Sequence, residues 1–219
     1  MSIAVKICGL GDAAGIGAAI TGGARFIGFV FYPPSPRAVT PDRAASLLAS
    51  VPPDVTKVGL FVDADDSAIA AALVAPLDLM QLHGAETPER VAAVKRRFGL
   101  PVMKAISIAA AGDVAAARAY DGVADWLLFD AKPPRDLAGA LPGGNGLAFD
   151  WRWLGAEKWT TPWMLSGGLT ADNLGEAVAI THASHVDVSS GVESRPGHKD
   201  PAKIAAFLAA ATAIAAPSR

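Results

Sequence analysis

Cys8, the one cysteine of the chain, ends the apolar run Ile3-Ala-Val-Lys-Ile7 and is followed at once by Gly9. A strand that stops in a thiol and then a glycine predicts a titratable sulfur at an open edge. Residues two apart on a strand share a face, so Lys6 is expected beside it. An ammonium next to a thiol favours the thiolate, the form that acts as nucleophile or base. The plainer alternative is a free cysteine packed as a small hydrophobe. A second titratable group, Asp130, closes the run Trp126-Leu-Leu-Phe129 and shares a face with Leu128. An ionised thiol and a protonated carboxyl on opposite sides of a pocket form a general base and a general acid. Their ordinary pKa order would then be reversed. The alternative makes Asp130 a loop-capping carboxylate.

Such a pair needs a scaffold that brings distant strand ends together. Short apolar runs at 3–7, 25–30, 56–61, 77–82, 102–106, 126–129, 163–165 and 185–188 alternate with alanine-rich helical stretches. Thr40-Pro41, Thr87-Pro88 and Asp200-Pro201 each place a capping side chain before a proline suited to the first helical turn, and Thr170 is a weaker cap. Eight strand–helix units in 219 residues predict one domain, a single (β/α)₈ barrel spanning 1–219. The structural rival is a doubly wound open sheet, which would need a nucleotide-binding first turn that the glycines after Cys8 do not spell. Barrel enzymes carry their sites where strands run into the following loops. The polar residues Cys8, Asp63, Gln81, His83, Lys104, Asp130, Asp187 and Ser189 stand at those ends, and a helix cap would account for Asp63 by itself. Strand one lies three places from strand six in a ring of eight, so Cys8 and Asp130 are expected to face one another across the mouth.

Two glycine turns follow the last two strands: Ser166-Gly167-Gly168-Leu169 and Ser189-Ser190-Gly191. Glycine lets main-chain N–H groups approach a ligand, and a helix N-terminus adds unpaired donors. Loops after strands seven and eight are the usual phosphate site of this barrel, so a phosphorylated small molecule is expected there. Burial beside a phosphate dianion would help keep Asp130 protonated. A third turn, Gly143-Gly-Asn-Gly146, ends the longest loop and precedes an aromatic helical stretch, 149–153; that loop reads equally as lid or spacer.

Composition narrows the classes. The chain is 52% hydrophobic with a net charge of −2, which gives no electrostatic footprint for nucleic acid and no basic run for a membrane surface. One cysteine allows no internal disulfide and fits a reducing cytoplasm. Four scattered histidines show no ligand spacing, so no metal is expected. No secretion signal is visible, and the most apolar stretch, 204–214, reads as a packed terminal helix.

The motifs Lys6-Ile-Cys-Gly-Leu10, Gly28-Phe-Val-Phe31, Ser35-Pro-Arg37, Gln81-Leu-His-Gly84, Gly143-Gly-Asn-Gly146, Ser166-Gly-Gly-Leu169 and Asp187-Val-Ser-Ser-Gly-Val-Glu193 run in order along nearly the whole chain. As a set they resemble the phosphoribosylanthranilate isomerase family. The resemblance implies a cofactor-free barrel enzyme of tryptophan biosynthesis, a monomer or homodimer, converting N-(5-phosphoribosyl)anthranilate to its deoxyribulose phosphate isomer by an Amadori rearrangement. It implies Asp130 as the acid that opens the furanose ring and Cys8 as the base that removes the C2′ proton. Arg37 would hold the anthranilate carboxylate, and Asp187 would lie near the sugar; His83 would line the pocket or stand as a satisfied rim histidine. Gly167, Gly168, Ser189, Ser190 and Gly191 would hold the phosphate. Gly11-Asp-Ala-Ala-Gly15, Phe129 and Asn145 depart from the family pattern without touching an assigned catalytic atom. Two other classes stay open on the residues alone: another phosphosugar isomerase or epimerase, and a non-catalytic phosphosugar-binding barrel.

Overall fold

The computed structural model describes residues 3–133, 141, 143–155 and 157–214. Eight parallel strands close into a barrel in chain order: β1 Ala4–Cys8, β2 Phe26–Val30, β3 Thr56–Phe61, β4 Leu79–Leu82, β5 Val102–Ile108, β6 Trp126–Ala131, β7 Trp163–Leu165 and β8 His185–Val188. β8 pairs with β1 to shut the ring, and in that register Lys6 lies opposite Asp187. The open-sheet rival is thereby excluded. The outer layer comprises α1 Ala13–Thr21, α2 Pro41–Leu48, α3 Asp66–Ala72, α4 Pro88–Phe98, α5 Ala111–Ala116, α6 Arg152–Gly155, α7 Leu174–Thr181 and α8 Pro201–Ala213. A short antiparallel pair, β9 Glu193–Arg195 and β10 His198–Lys199, follows β8.

Alternation along each strand divides the core in two. Leu127 and Phe129 of β6 pack outward with the helices, while Leu128 joins Phe26, Val58, Leu79, Met103, Ala105 and Met164 in the barrel interior. Above that plug sit Cys8, Val30 and Leu60, nearer the C-terminal mouth. Interior residues are therefore apolar below and increasingly polar above, toward the mouth.

Three helix starts form as their side chains dictate. Thr40 and Thr87 accept the N–H groups of Arg43 and Arg90 at 3.3 Å each, and Asp200 accepts Ala202 N–H at 2.9 Å, each before a proline. Thr170 does something else. It closes a turn with Asn173 by reciprocal bonds of 2.8 and 3.3 Å, and α7 starts three residues later than a Thr170 cap would put it. The terminal helix α8 buries Ile204, Phe207, Leu208 and Ala211 on one stripe against α1, the spacing of an amphipathic face. The aromatic stretch 149–153 yields only the single turn of α6. No described helix is long and apolar enough to cross a membrane.

Candidate active site

One cavity at the C-terminal mouth is lined by Cys8, Arg37, His83, Asp130, Asp187, Gly167, Gly168, Ser189, Ser190 and Gly191 together. It spans about 720 Å³, counting the part open to solvent, which is the size class of small-molecule sites. Backbone from Gly143 to Leu147 forms one wall, so the described end of the long loop covers the mouth; the part at 134–140 and 142 lies outside the described residues.

Cys8 ends β1 as a buried residue, 4% exposed, and not at an open edge. It fits because the β2 residue beside it is Gly28, where a Cβ would come within 2.9 Å of the sulfur. Lys6 does share its face, as strand parity requires. Its Nζ, however, is bonded to Asp187 Oδ1 at 2.9 Å in a fully buried pair, and Ser166 donates to Asp187 Oδ2 at 3.1 Å. Burial pushes the Cys8 thiol up; Lys6 and Lys199 draw it down and Asp187 pushes it up again, leaving it above its ordinary value. Lys6 thus favours the thiolate as strand parity suggests, but burial outweighs it, and Asp187, which shares the ammonium, acts the other way. Asp187 and Cys8 in turn outweigh burial at Lys6 and hold that ammonium charged.

Asp130 lies within β6, not after it, and is 5% exposed. Its Oδ1 accepts the Ala131 N–H at 2.9 Å. Its Oδ2 lies 3.3 Å from His83 Nε2, out of line for a hydrogen bond. The other ring nitrogen, Nδ1, receives Gln81 Nε2 at 3.0 Å with the amide assigned that way round, which puts the ring proton on Nε2, facing Asp130. Gly143 arches over this pair: a Cβ there would sit 2.6 Å from Asp130 Oδ2 and 2.7 Å from the His83 ring.

Arg37 reaches the cavity from the loop after β2. Its Nε and Nη2 donate to the two carboxylate oxygens of Glu193 at 2.7 and 2.9 Å, and Nη2 also reaches the Gly144 carbonyl at 3.0 Å. Glu193 Oε1 accepts Lys199 Nζ at 2.7 Å, and the same ammonium holds the Ser189 carbonyl at 2.8 Å and its hydroxyl at 3.1 Å. The Ser189 hydroxyl donates to the Cys8 carbonyl at 3.1 Å. Burial raises Glu193, but Arg37 and Lys199 outweigh it and hold the carboxyl below its usual range. Burial lowers Lys199, which Glu193 offsets only in part.

The two late glycine turns meet at the cavity. Gly167 and Gly168 adopt φ of 88° and 64°, the left-handed region open to glycine, and a side chain on Gly191 would fall onto the Leu169 carbonyl.

Two rim residues do not belong to the site. Lys104 points outward to the helices, where it binds Glu86 Oε2 at 2.8 Å and the Gly84 carbonyl at 2.7 Å and lies over the Tyr120 ring. Asp63 clips Ala85 N–H at 2.7 Å, while Asp65 is the actual cap of α3. Sequence reasoning assigned no role to Glu193, Lys199, Gln81 or Ser166. Glu193 closes the motif 187–193, five residues of which, Asp187 to Gly191, line the cavity, so the signal was present without a role attached. Among the described residues, no group of three or more His, Cys, Asp or Glu is placed to hold a metal ion.

The family profile described as N-(5′-phosphoribosyl)anthranilate (PRA) isomerase matches residues 5–210. The N-(5′-phosphoribosyl)anthranilate isomerase of Paracoccus denitrificans is 60% identical over 214 residues, covering 97% of this chain and 99% of the relative. The crystal structure of the Thermotoga maritima phosphoribosyl anthranilate isomerase superposes with a TM-score of 0.85 at 33% identity, over 97% of this chain and 100% of that one. A phosphoribosyl anthranilate isomerase in complex with reduced 1-(o-carboxyphenylamino)-1-deoxyribulose 5-phosphate aligns with a TM-score of 0.81 at 30% identity, over the same shares. With the barrel, the buried thiol and carboxyl, and a profile match over almost the full length, the chain belongs to the N-(5′-phosphoribosyl)anthranilate isomerase family, the aldose–ketose isomerases of tryptophan biosynthesis.

Proposed function

We propose that this cavity performs the family's Amadori rearrangement by general acid–base catalysis, with Asp130 as acid and Cys8 as base. The observation that carries the reading is that a buried thiol from β1 and a buried carboxyl from β6 line one cavity with glycine turns between them. Asp130 gives its proton to the furanose ring oxygen, and the ring opens to a protonated Schiff base. Cys8 then takes the proton from C2′, leaving an enolamine that tautomerises to the ketone. One proton is given and one is taken, so the pair ends with its roles exchanged and must be reset before the next turnover.

The remaining residues hold the substrate. The turns at Gly167-Gly168 and Ser189–Gly191 present main-chain N–H groups to the phosphate, as loops after strands seven and eight do in this fold. Arg37 has two of its three guanidinium nitrogens fixed, and the third, Nη1, is matched to a carboxylate on the anthranilate ring. Asp187 and His83 flank the sugar between these ends. The chain works as a single barrel domain, in the cytoplasm, where its one cysteine stays reduced.

The test follows the fluorescent anthranilate substrate with the purified protein and no added metal or cofactor. Disappearance of substrate with formation of the carboxyphenylamino deoxyribulose phosphate is expected. Binding without conversion would favour a phosphosugar-binding barrel instead.

A further inference from the structure

We propose that Glu193 is the positioning residue that makes this pocket selective for a carboxylate-bearing aromatic amine, by fixing one edge of Arg37 so that only Nη1 is offered to the ligand. The inference rests on the reading of Arg37 as the carboxylate ligand and says why the arginine is competent for that task.

A free arginine has five N–H donors and several rotatable bonds, so it offers no single geometry to an incoming anion. Here Glu193 takes Nε and Nη2 in a two-point contact at 2.7 and 2.9 Å, and the Gly144 carbonyl takes Nη2 again at 3.0 Å. Among the described residues Nη1 makes no hydrogen bond. A side chain on Gly144 would come within 2.7 Å of it, so that glycine keeps the approach clear. The guanidinium plane is thus set before the ligand arrives, which reduces the ordering cost of binding.

Charge supports the same conclusion. Glu193 lies between Arg37 and Lys199, both buried, so the cluster carries two positive charges and one negative. Its net single positive charge is matched by one carboxylate. A ring without that group would leave a buried N–H unpaired, and loss of one partner is the strongest form of polar discrimination. Lys199 also holds the Ser189 carbonyl and hydroxyl, so Glu193 ties the carboxylate end of the site to the loop assigned to the phosphate.

The experiment measures calorimetric affinities of two probes for the full chain. One is the reduced product, N-(2-carboxyphenyl)-1-amino-1-deoxyribitol 5-phosphate; the other is its N-phenyl analogue without the carboxylate. Glu193→Gln should weaken the first about tenfold or more and leave the second within about twofold, because a charge-assisted contact is replaced by a weaker one. Glu193→Asp, which keeps the charge one methylene back, should give a smaller loss confined to the same probe. Combined with Arg37→Ala, Glu193→Gln should add nothing further for the carboxylate probe. Equal weakening of both probes would make Glu193 a general support of the loop and overturn the proposal, as would unchanged affinity for the carboxylate probe. Arg37→Ala that fails to separate the two probes would instead overturn the Arg37 assignment itself.

Discussion

At the N-terminal ends of the strands, acidic residues tie one loop to its neighbour. Asp78 accepts the Lys57 N–H at 2.9 Å and its ammonium at 3.0 Å. Asp125 accepts the Val102 N–H at 2.9 Å and the Lys95 ammonium at 2.6 Å. Asp121 takes the Thr160 hydroxyl at 2.8 Å and the Thr161 N–H at 2.9 Å just before β7. At the C-terminal ends the same residue types converge on a shared cavity and are cut off from water. Side chains of Asp130, Asp187 and Glu193 are 4–6% exposed, against 45% for Asp78 and 32% for Asp125. Exposed clips are screened and contribute about 1 kcal/mol or less. Buried groups feel each other strongly, and that coupling shifts pKa values and fixes side-chain directions. Chemistry and stability are therefore carried by opposite ends of the same strands.

That division can be broken most directly at the catalytic pair. Cys8→Ala or Asp130→Asn should lower kcat by about 10²–10⁴ with the melting temperature little changed; unchanged turnover in both would remove the proposed acid and base. Asp187→Asn is expected to change the ionisation of Cys8 itself, read from the pH dependence of its alkylation. Removing Asp187 takes away an anion that raises the thiol and leaves Lys6 to favour the thiolate, so ionisation should shift to lower pH. A shift to higher pH would contradict that electrostatic account.

The opposite end should respond in the reverse sense. Asp125→Ala should cost about 1 kcal/mol of stability, roughly 2–4 °C in melting temperature, with kcat unaffected. A loss of turnover without loss of stability would erase the distinction between the ends. A pH-dependent effect is expected at Asp121. Burial raises its pKa, but the Thr160 and Thr161 bonds outweigh this and hold it at about 2. A depressed folded pKa contributes stability above its ordinary value of 3.8 that is lost as pH falls from there toward about 2. Asp121→Asn should flatten that part of the acid unfolding curve, which denaturant melts between pH 2 and 5 would show.

Strand parity and capping residues carried much of this far. Alternation alone puts Lys6 with Cys8, and Asp130 with Leu128; Thr40, Thr87 and Asp200 mark helix starts that form. The reading of polar strand-end residues as one rim failed at Lys104 for a definite reason. In β5 both faces are apolar, Val102, Ile106 and Ile108 on one side and Met103 and Ala105 on the other, as in any strand buried on both sides. Nothing local says which face is interior, so a lysine at a strand end looked like a site residue when it serves the helical layer.

The order of residues alone determined an eight-fold strand–helix alternation, because hydrophobic period, caps and glycine turns are local properties of the chain. It also determined which side chains could be acid, base and anion ligand. Only the closed barrel decided their charge states and partners. Register between β8 and β1 set Asp187 against Lys6, and β9 carried Glu193 to Arg37 across 156 positions of sequence. Such pairings depend on ring closure and on burial, which are properties of the assembled layers and of no single segment.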